Sequence, residues 1–373
     1  MQPASQPLIT VIVPVLNERR HIERCLESIT NQQYPRDRYE VLVVDGGSTD
    51  GTREIIEGYE RRGLVRLLHN PRRRPAAGMN VGLRNAAGDV MVRLDGHAFA
   101  APDFLPRLVD GLRTTGADCV GGPITSIGET YMGRAIAMAM SSRFGVGGAS
   151  FRVGGVGPAD TVAFGAYKRE TFETIGGFAE HLDKGEDCDV NYRLLDRGGK
   201  IMLVPDVHVS YVVRSDLPSF IGQYFSYGRS KPAVIVRHPE QTRPRHLVPA
   251  AFVGALALSV ILAFTISPWP LVGLAALYGA FIAAATVYLA SRHRTWEALP
   301  LPAILAGMHV AYGLGFFVGA AEVPFKRPWR YPMPALDGEF GWNRPAAGDA
   351  QPALVHADGR PDAIVSKTRS AGE

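Results

Sequence analysis

The triplet Asp95-Gly96-His97 is the first place in this sequence where residue types and spacing could do chemistry. It follows the run VMVRL and sets a carboxylate and an imidazole two residues apart. Oxygen and nitrogen groups of this kind bind divalent cations, including a cation that bridges a diphosphate. A structural turn is the simpler explanation of an isolated D-x-H triplet. The position of this triplet directly after an apolar run is what favours cation binding. We therefore predict a cation-binding loop at Asp95 and His97.

Asp45 is the second candidate, because it ends the run EVLVVD and opens the turn GGSTDG. A carboxylate there can accept a hydrogen bond from an imide N–H such as that of uracil, and the glycines let a ligand approach the backbone. The alternative is that Asp45 only caps the turn, although Asp50 suits that role better. The sequence leaves both interpretations of Asp45 open.

Glu186 and Asp187 form the third candidate, at a predicted helix start after Gly185. Either carboxylate could take a proton from an attacking hydroxyl group as a general base. Acids are also favoured at helix N-termini for purely electrostatic reasons, and in isolation that explanation is the stronger one. Cys188 beside them is interpreted as a packing residue.

Segments that alternate between β-branched runs and amphipathic stretches carry these motifs, which is typical of an α/β domain. The runs are apolar along their length, which predicts a mostly parallel sheet covered by helices on both faces. Ligands bind such sheets beyond the carboxyl ends of the strands, where Glu18, Asp45 and Asp95 all lie. The predicted strands are residues 8–15, 40–45, 64–68 and 90–94, and the predicted helices are residues 20–30, 52–62 and 76–86.

Beyond residue 247 the composition changes to long uncharged segments. Residues 248–267, 269–290 and 299–321 hold 20, 22 and 23 residues without a charge, His309 apart. At about 1.5 Å per residue, each helix could cross a hydrocarbon core about 30 Å thick. Three buried helices of a soluble domain are the alternative, but so few polar residues would be unusual there. Prolines and glycines in the third segment leave two forms open, a plain span and a broken or re-entrant segment.

Two further segments, residues 131–144 and 217–236, mix apolar residues with arginine and lysine. This composition predicts helices that lie at a membrane surface, although ordinary amphipathic packing explains it almost as well. Arginines flank the first uncharged segment, whereas the 267–270 connection carries no charge. The positive-inside rule therefore predicts that the N-terminal domain faces the cytoplasm.

The 40 basic and 36 acidic residues are unevenly placed, with positive charge at 61–62, 72–74 and 237–246. On charge alone, nucleic acid, anionic lipid and phosphorylated substrates are all compatible partners. The three cysteines lie far apart without C-x-x-C spacing, so we expect neither a disulfide framework nor a zinc site. The N-terminal segment lacks the basic region and the long apolar run of a signal peptide.

Taken in order, a series of motifs resembles glycosyltransferase family 2, and within it the bacterial exopolysaccharide enzymes of the succinoglycan type. The motifs are VIVPVLNE, VLVVDGGSTDGT, VRLDGHAFAAPDF, VGGP, FGAYKRETFETIGGF, EDCDVNYRL and QYFSYGR. The resemblance covers residues 8–325 and so includes the membrane segments. It implies a GT-A fold and inverting transfer from a nucleotide-diphosphate sugar, most often UDP-linked.

The resemblance also implies roles for single residues. Pro14 and Glu18 match a nucleotide-contacting loop, and Asp45 matches a uracil-binding aspartate. Asp95 and His97 match the D-x-D metal motif with His in place of the second Asp, which implies Mn2+ or Mg2+ as cofactor and leaves the choice of metal open. Asp187 matches the catalytic base, with Glu186 as the adjacent acid.

Gln223, Tyr227, Gly228 and Arg229 fall where processive synthases carry Q-x-x-R-W. The Trp is missing, which favours addition of one sugar over polymerisation. Arg229 and the cluster 72–74 could neutralise a departing diphosphate, although the cluster is more simply a solvated loop. His208 could supply a third metal ligand, but a satisfied loop histidine explains it equally well, because the family's usual histidine aligns nearer Tyr211.

The expected organisation is a cytoplasmic GT-A domain over residues 1–236, a membrane domain over 237–325 and a disordered tail over 326–373. The implied partners are a nucleotide-diphosphate sugar, a lipid-linked saccharide acceptor and the bacterial inner membrane, and not nucleic acid. The oligomeric state stays open. A polyprenyl phosphate or glycolipid acceptor, a processive synthase and a non-catalytic membrane protein of the same fold are the alternatives. Intact Asp45, Asp95, His97 and Asp187 disfavour the last of these.

Overall fold

The structure is a computed structural model that describes residues 6–326. Strands and helices alternate through its first part, and long helices make up the rest. The strands are β1 (Ile9–Val15), β2 (Tyr39–Asp45), β3 (Arg66–His69), β4 (Val90–Arg93), β5 (Ala98–Ala100), β6 (Cys119–Gly121), β7 (Ile124–Ile127), β8 (Gly157–Pro158), β9 (Ala166–Lys168), β10 (Ile201–Leu203) and β11 (Val209–Val212). The helices are α1 (Ile22–Thr30), α2 (Thr52–Arg61), α3 (Pro75–Asn85), α4 (Phe104–Thr115), α5 (Tyr131–Met140), α6 (Arg143–Val146), α7 (Ser150–Val153), α8 (Arg169–Ile175), α9 (Glu186–Asp196), α10 (Leu217–Arg237), α11 (Pro244–Thr265), α12 (Trp269–His293) and α13 (Leu301–Lys326).

The main sheet has eight strands in the order β3-β2-β1-β4-β9-β6-β10-β8. Strands β3, β2, β1 and β4 run parallel, as do β6 and β10, whereas β9 and β8 are antiparallel to their neighbours. The prediction of an α/β domain with a mostly parallel sheet is therefore confirmed. A second sheet, in the order β5-β11-β7, follows the end of β4.

Apolar side chains cover both faces of the main sheet, as expected for parallel strands. Along β1, Val11 and Val13 belong to the core that α1, α2 and α4 cover. Ile12 faces the opposite core, which α3, α8 and α9 cover. Because successive side chains of a strand point to opposite faces, one β-branched run can supply both cores.

The parallel strands β1, β2 and β4 end at the same edge of the sheet, and their loops meet there. In register, Val15 lies beside Asp45. The backbone N–H of Asn17 donates to Ser48 Oγ at 2.9 Å, and Asn17 Oδ1 accepts from the N–H of Thr49 at 2.9 Å. The loops that carry the sequence motifs are therefore held together by their own polar groups.

Glycines allow α10 and α13 to approach each other very closely. A Cβ atom on Gly228 of α10 would lie 2.0 Å from the carbonyl oxygen of Tyr312, and one on Gly319 of α13 would lie 2.0 Å from that of Arg229. Nothing larger than hydrogen fits at these points. The two backbones are therefore in direct contact.

Helices α11, α12 and α13 are long and apolar enough to cross a membrane. Only 17% and 11% of the most apolar windows of α11 and α12 are buried, against 39% for α13. Large apolar side chains stay exposed between α11 and α12, with Phe264 at 88% and Ile266 at 80%. Helices with such surfaces are not the buried core of a water-soluble domain.

The third segment takes one of the two forms that the sequence left open. It is one continuous helix of 26 residues, not a broken or re-entrant one. Pro302 falls in the first turn of α13, where a backbone N–H has no helical partner to lose. Glycines 313, 315 and 319 mark close contacts with α11 and α10 and do not interrupt the helix.

The segments predicted to lie at a membrane surface form α5, α6 and α10. They share one apolar cluster with α12 and α13, in which Phe220 and Ile304 are fully buried. Their position at a membrane surface stays a prediction, as do the domain boundaries. The predicted tail lies outside the described residues except for Lys326.

Candidate active site

Asp95 lies just beyond the end of β4, where it is held by the preceding arginine. Arg93 Nε donates to Asp95 Oδ1 at 2.9 Å. Burial alone would raise the pKa of the Asp95 carboxyl, but the charges of Arg93 and His97 and the hydrogen bond from Arg93 together outweigh burial and lower it. The loop therefore presents an ionised carboxylate to the space beyond the strand.

His97 is anchored by Glu18 from the loop after β1. Its Nδ1 lies 2.8 Å from Glu18 Oε1. Burial opposes the charged imidazolium, but the hydrogen bond to Glu18 and the charges of Tyr211, Glu18 and Asp95 together outweigh burial, and the pKa of His97 rises to about 9. The ring also packs edge-on against Tyr211, with 5.0 Å between ring centroids. Such a carboxylate partner fixes the orientation of a histidine and leaves the other ring nitrogen for a ligand.

Arg93 also reaches the second acidic motif, because its Nη1 donates to Glu186 Oε1 at 3.1 Å. One largely buried guanidinium group therefore joins the Asp95 loop to the start of α9. Sequence analysis did not identify Arg93 as a site residue. The signal available was a charged residue inside an otherwise buried strand, because such a charge needs partners.

Glu186 and Asp187 are neighbours at the first turn of α9 but occupy different environments. Glu186 is only 7% exposed, and burial raises the pKa of its carboxyl despite the nearby Arg93. Asp187 lines the cavity, and its Oδ1 accepts a hydrogen bond from the N–H of Cys188 at 2.8 Å. Gly185 before them has a φ of 85°, a left-handed conformation that starts the helix sharply. Of the two carboxylates, Asp187 is the better placed to reach a substrate.

Asp45 is fully buried at the end of β2 and caps the turn that follows. It accepts hydrogen bonds from Ser48, from the N–H at 3.0 Å and from Oγ at 2.6 Å. Arg53 Nη1 lies 3.8 Å away. The hydrogen bonds that Asp45 makes in the structure are those of a turn cap. Its contact with a nucleobase stays a prediction. Asp50 Oδ1 accepts hydrogen bonds from Thr52, the first residue of α2, from its N–H at 3.1 Å and from its hydroxyl at 2.6 Å.

Three of the sequence-predicted residues do not line the cavity: Asp45, which is fully buried, Arg229 and His208. Arg229 points to α13, where its Nε donates to Glu322 at 2.9 Å, because the close contact of α10 with α13 turns that face of the helix away. His208 is exposed just before β11, and its carbonyl accepts from the N–H of Ala101 at 3.1 Å. Tyr211, three residues later, occupies the position beside His97 instead.

A cavity of about 1070 Å3 connects these motifs with the membrane helices. Pro14, Glu18, Asp95 and His97 line one end, and Glu186 and Asp187 lie along its wall. The other end is lined by apolar and aromatic side chains of the long helices, among them Phe252, Tyr278, Phe281, Met308 and Tyr312. The space is large enough for a nucleotide sugar together with a second substrate.

Within residues 6–326, no group of three or more His, Cys, Asp or Glu side chains is arranged to hold a metal ion. Asp95 and His97 nevertheless fit a divalent cation that takes its other ligands from a bound diphosphate, because Asp95 is ionised and the His97 nitrogen that does not contact Glu18 can bind a cation that displaces its proton. A third ligand from His208 would require that residue to leave its exposed position.

Comparison with known proteins agrees with these features. Residues 10–176 match the model of Glycosyl transferase family 2. The chain is 33% identical over 312 residues to the succinoglycan biosynthesis protein ExoA of Rhizobium meliloti, covering 82% of this chain and 93% of that one. It is 30% identical over 321 residues to a dolichyl N-acetyl-alpha-D-glucosaminyl phosphate 3-beta-D-2,3-diacetamido-2,3-dideoxy-beta-D-glucuronosyltransferase of Methanococcus voltae, covering 83% of this chain and 96% of that one.

Among solved structures, the fold resembles that of the mannosyltransferase PcManGT from Pyrobaculum calidifontis, solved in complex with GDP-Man and Mn2+. The TM-score is 0.53 at 24% identity, over 84% of this chain and 88% of the other. The domain is thus of the GT-A type, with three apolar helices at its C-terminal end that are long enough to cross a membrane. The strand-end motifs and the two long relatives together show that this chain is a glycosyltransferase and belongs to family 2.

Proposed function

We propose that this enzyme transfers one sugar, with inversion, from a nucleotide-diphosphate sugar to a saccharide carried by a membrane lipid. The observation that carries this proposal is the single cavity that joins Asp95, His97 and Asp187 to the apolar side chains of α11, α12 and α13. A water-soluble acceptor would have no use for that apolar end. The Methanococcus relative, whose name specifies a dolichyl-phosphate-linked sugar, supports the same class of acceptor, and the Rhizobium relative supports a role in polysaccharide synthesis.

In this mechanism Asp187 is the general base. Its carboxylate takes the proton of the acceptor hydroxyl as that oxygen attacks the anomeric carbon of the donor from the face opposite the leaving group. The bond between the anomeric carbon and the phosphate oxygen breaks, and the nucleoside diphosphate leaves with the electron pair. Arg93 holds Glu186 beside the base and keeps Asp95 ionised. Attack from the opposite face produces inversion.

We further propose that Asp95 and His97 hold a divalent cation, Mn2+ or Mg2+, with the donor diphosphate. A cation there would neutralise the charge that builds up on the leaving group. Glu18 orients the His97 ring for this role through its 2.8 Å contact. UDP is the proposed nucleoside diphosphate, with Pro14, Glu18 and Asp45 around the nucleotide, and the donor sugar is left to experiment.

The proposed location is the bacterial inner membrane, with residues 1–236 in the cytoplasm, where sugar nucleotides are made. The basic residues next to α11 support this orientation. Arg243 and Arg245 lie at its start, whereas Ser267 and Pro268 at its far end carry no charge.

A donor screen with the detergent-solubilised full chain tests the proposal. Several nucleotide sugars would be assayed for release of nucleoside diphosphate with and without Mn2+, each with a lipid-linked saccharide and with the same saccharide free in water. We expect one donor to react, only with metal, and far faster with the lipid-linked acceptor. Equal rates with both acceptors would contradict the proposed acceptor class. Release of pyrophosphate would instead indicate a nucleotidyltransferase.

A further inference from the structure

Arg152 is a cation of the cavity whose charge the protein does not balance. It belongs to the short helix α7, and its Nη1 atom is buried without a hydrogen-bond partner among the described residues. Arg74 and Arg245 also line the cavity and have carboxylate partners, since Arg74 lies 3.3 Å from Asp183 and Arg245 contacts Asp160. The cavity cations Arg73, Arg143, Lys184 and Arg214 form no ion pair among the described residues, but of all these cations only Arg152 has a buried nitrogen without a hydrogen-bond partner. An unsatisfied buried donor costs free energy, so its retention calls for an explanation such as a ligand absent from the structure.

Aromatic rings fix the position of Arg152 between the catalytic loops and the long helices. Its guanidinium carbon lies 5.8 Å from the ring centroid of Tyr211, and the Tyr211 ring is in turn 5.0 Å from that of His97. On its other side, its charge acts on Tyr224 and Tyr227 of α10 and opposes the rise that burial causes in their pKa values. Arg152 therefore packs against the same Tyr211 ring as His97, and it also lies close to α10.

Lys231 of α10 is a second cation that lines the cavity without an ion pair. In residues 6–326 the lysines that form ion pairs are Lys168 and Lys326, and Lys231 is not among them. It lies near the residue that follows the catalytic base, because its charge opposes the burial that raises the pKa of Cys188 to about 12. Lys231 and Asp187 both line the cavity.

We propose that Arg152 and Lys231 form a binding subsite for the phosphate or diphosphate that links the acceptor sugar to its lipid. The proposal rests on the proposed function and names the group that the protein recognises there. Guanidinium and ammonium groups bind phosphate oxygens through charge-assisted hydrogen bonds, and arginine does so with a two-pronged geometry. From this subsite the cavity continues to Phe252, Tyr278 and Met308, whose apolar surfaces suit a prenyl chain.

The donor diphosphate is the other source of phosphate oxygens in the cavity. It is expected at the opposite end, beside Asp95, His97 and Glu18, where the proposed cation would balance its charge. Arg152 is separated from His97 by the Tyr211 ring. The two cations therefore serve the acceptor, and this assignment can be tested separately from donor binding.

Binding to the detergent-solubilised full chain tests the subsite, with farnesyl diphosphate, farnesol and UDP as three separate probes. The variants are Arg152→Gln and Lys231→Gln, with Arg152→Lys as the conservative exchange. Arg113→Gln is the matched control, because Arg113 is exposed on α4, pairs with Asp110 at 2.7 Å and lies outside the cavity. Thermal unfolding of each variant checks that the fold is intact.

We expect wild type and Arg113→Gln to bind farnesyl diphosphate at least tenfold more tightly than farnesol. Arg152→Gln and Lys231→Gln should each lose roughly tenfold or more in affinity for farnesyl diphosphate, with farnesol and UDP affinities unchanged and partial recovery in Arg152→Lys. Unchanged farnesyl diphosphate affinity in both glutamine variants would overturn the subsite, and an equal loss for UDP would assign the cations to the donor. A wild-type protein that does not distinguish farnesyl diphosphate from farnesol would also overturn the subsite, whereas a wild-type protein that binds neither probe would contradict the membrane-lipid acceptor of the proposed function.

Discussion

The two adjacent carboxylates at the start of α9 differ in what holds them. Glu186 is buried against Arg93, whereas Asp187 lines the cavity with one backbone hydrogen bond. Proton transfer from the acceptor should therefore depend on Asp187. Glu186 should affect the reaction only indirectly, by holding Arg93 in position.

Replacement of the base is the first prediction. Asp187→Asn keeps the shape of the side chain but cannot accept a proton, so we expect kcat to fall by about 10²–10⁴-fold. Nucleoside diphosphate affinity, measured by calorimetry, should stay close to that of wild type. Near-wild-type turnover of Asp187→Asn would show that another group, Glu186 first, is the base.

The second prediction concerns the metal loop. Asp95→Ala and His97→Ala should each reduce the gain in UDP affinity that Mn2+ produces, measured by calorimetry with and without the metal. Asp95→Ala should have the larger effect, because it also leaves Arg93 buried without one of its two carboxylate partners. His69→Ala is a control, since His69 is exposed at the end of β3. An unchanged metal dependence in His97→Ala would remove that residue from the site.

For single residues, the sequence was informative where polar side chains directly follow a strand or begin a helix. Asp95, His97, Glu18 and Asp187 were predicted from their motifs, and the structure gathers them around one cavity. Arg152 was not predicted, because its role depends on rings from β11 and α10 that are distant in the chain. Residue type alone does not show which cation has a carboxylate partner, and for that reason Arg229 was assigned to the site although it pairs with Glu322.

Among the elements, the contact between α10 and α13 admits a direct test. In Gly228→Ala the new methyl group would meet the Tyr312 backbone oxygen at 2.0 Å, so the helices must separate. We expect a loss of about 1–3 kcal/mol in stability, seen as a lower melting temperature in detergent. Gly222→Ala on the same helix is the matched control, because no atom lies within 4 Å of its new methyl group. That variant should be neutral or slightly more stable, by up to about 1 kcal/mol. A melting temperature of Gly228→Ala equal to that of Gly222→Ala would contradict the contact.

The buried carboxylate Asp189 joins α9 to the end of α10. Its oxygens lie 2.9 Å from Arg193, 3.0 Å from Arg237 and 3.1 Å from His238. Breaking one partner of a buried ion pair costs about 3–5 kcal/mol, so Asp189→Asn should destabilise the protein by about that amount. Thermal unfolding measures the difference between this variant and wild type.

The difference in stability between wild type and Asp189→Asn should depend on pH in a definite direction. Burial alone would raise the pKa of Asp189, but the hydrogen bond with His238 and the charges of Arg193 and Arg237 lower it well below its ordinary value. A lowered folded-state pKa stabilises the protein above the unfolded-state pKa, about 3.9 for Asp. The gap between wild type and Asp189→Asn should therefore be constant above about pH 5 and should narrow as the pH falls below about 4. A gap that widens in acid would show that Asp189 is not the group responsible.

Element types were predictable from the sequence, but their partners were not. Long segments without charged residues predicted α11, α12 and α13, and runs of β-branched residues predicted β1, β2 and β4. A helical break stayed open as an alternative for the third apolar segment because proline and glycine were counted without regard to position. Pro302 falls in the first turn of α13, and the later glycines face other backbones.

For the whole molecule, membrane orientation can be measured with single cysteines placed at the two ends of α12. Ser267 and Thr295 lie just outside that helix, which at 25 residues is about 37 Å long. In intact cells, a membrane-impermeant maleimide should label Ser267→Cys, whereas Thr295→Cys should react only after lysis. Cys25, Cys119 and Cys188 would first be replaced to remove background. The reverse labelling pattern would contradict a cytoplasmic catalytic domain.

The chain of contacts from α13 through α10 to α9 limits how the enzyme can be recombined with its relatives. Residues at the end of α10 bind Asp189 of α9, and α9 carries Asp187, while the glycine face of α10 is shaped to the backbone of α13. A hybrid joined between residues 238 and 243 would set a foreign α13 against native α10, where a single added methyl group meets backbone. A hybrid that exchanges residues 217–326 together keeps that contact, but it must also supply the partners of Asp189. The modules of this enzyme therefore overlap at α10, and acceptor specificity is inherited together with part of the catalytic domain.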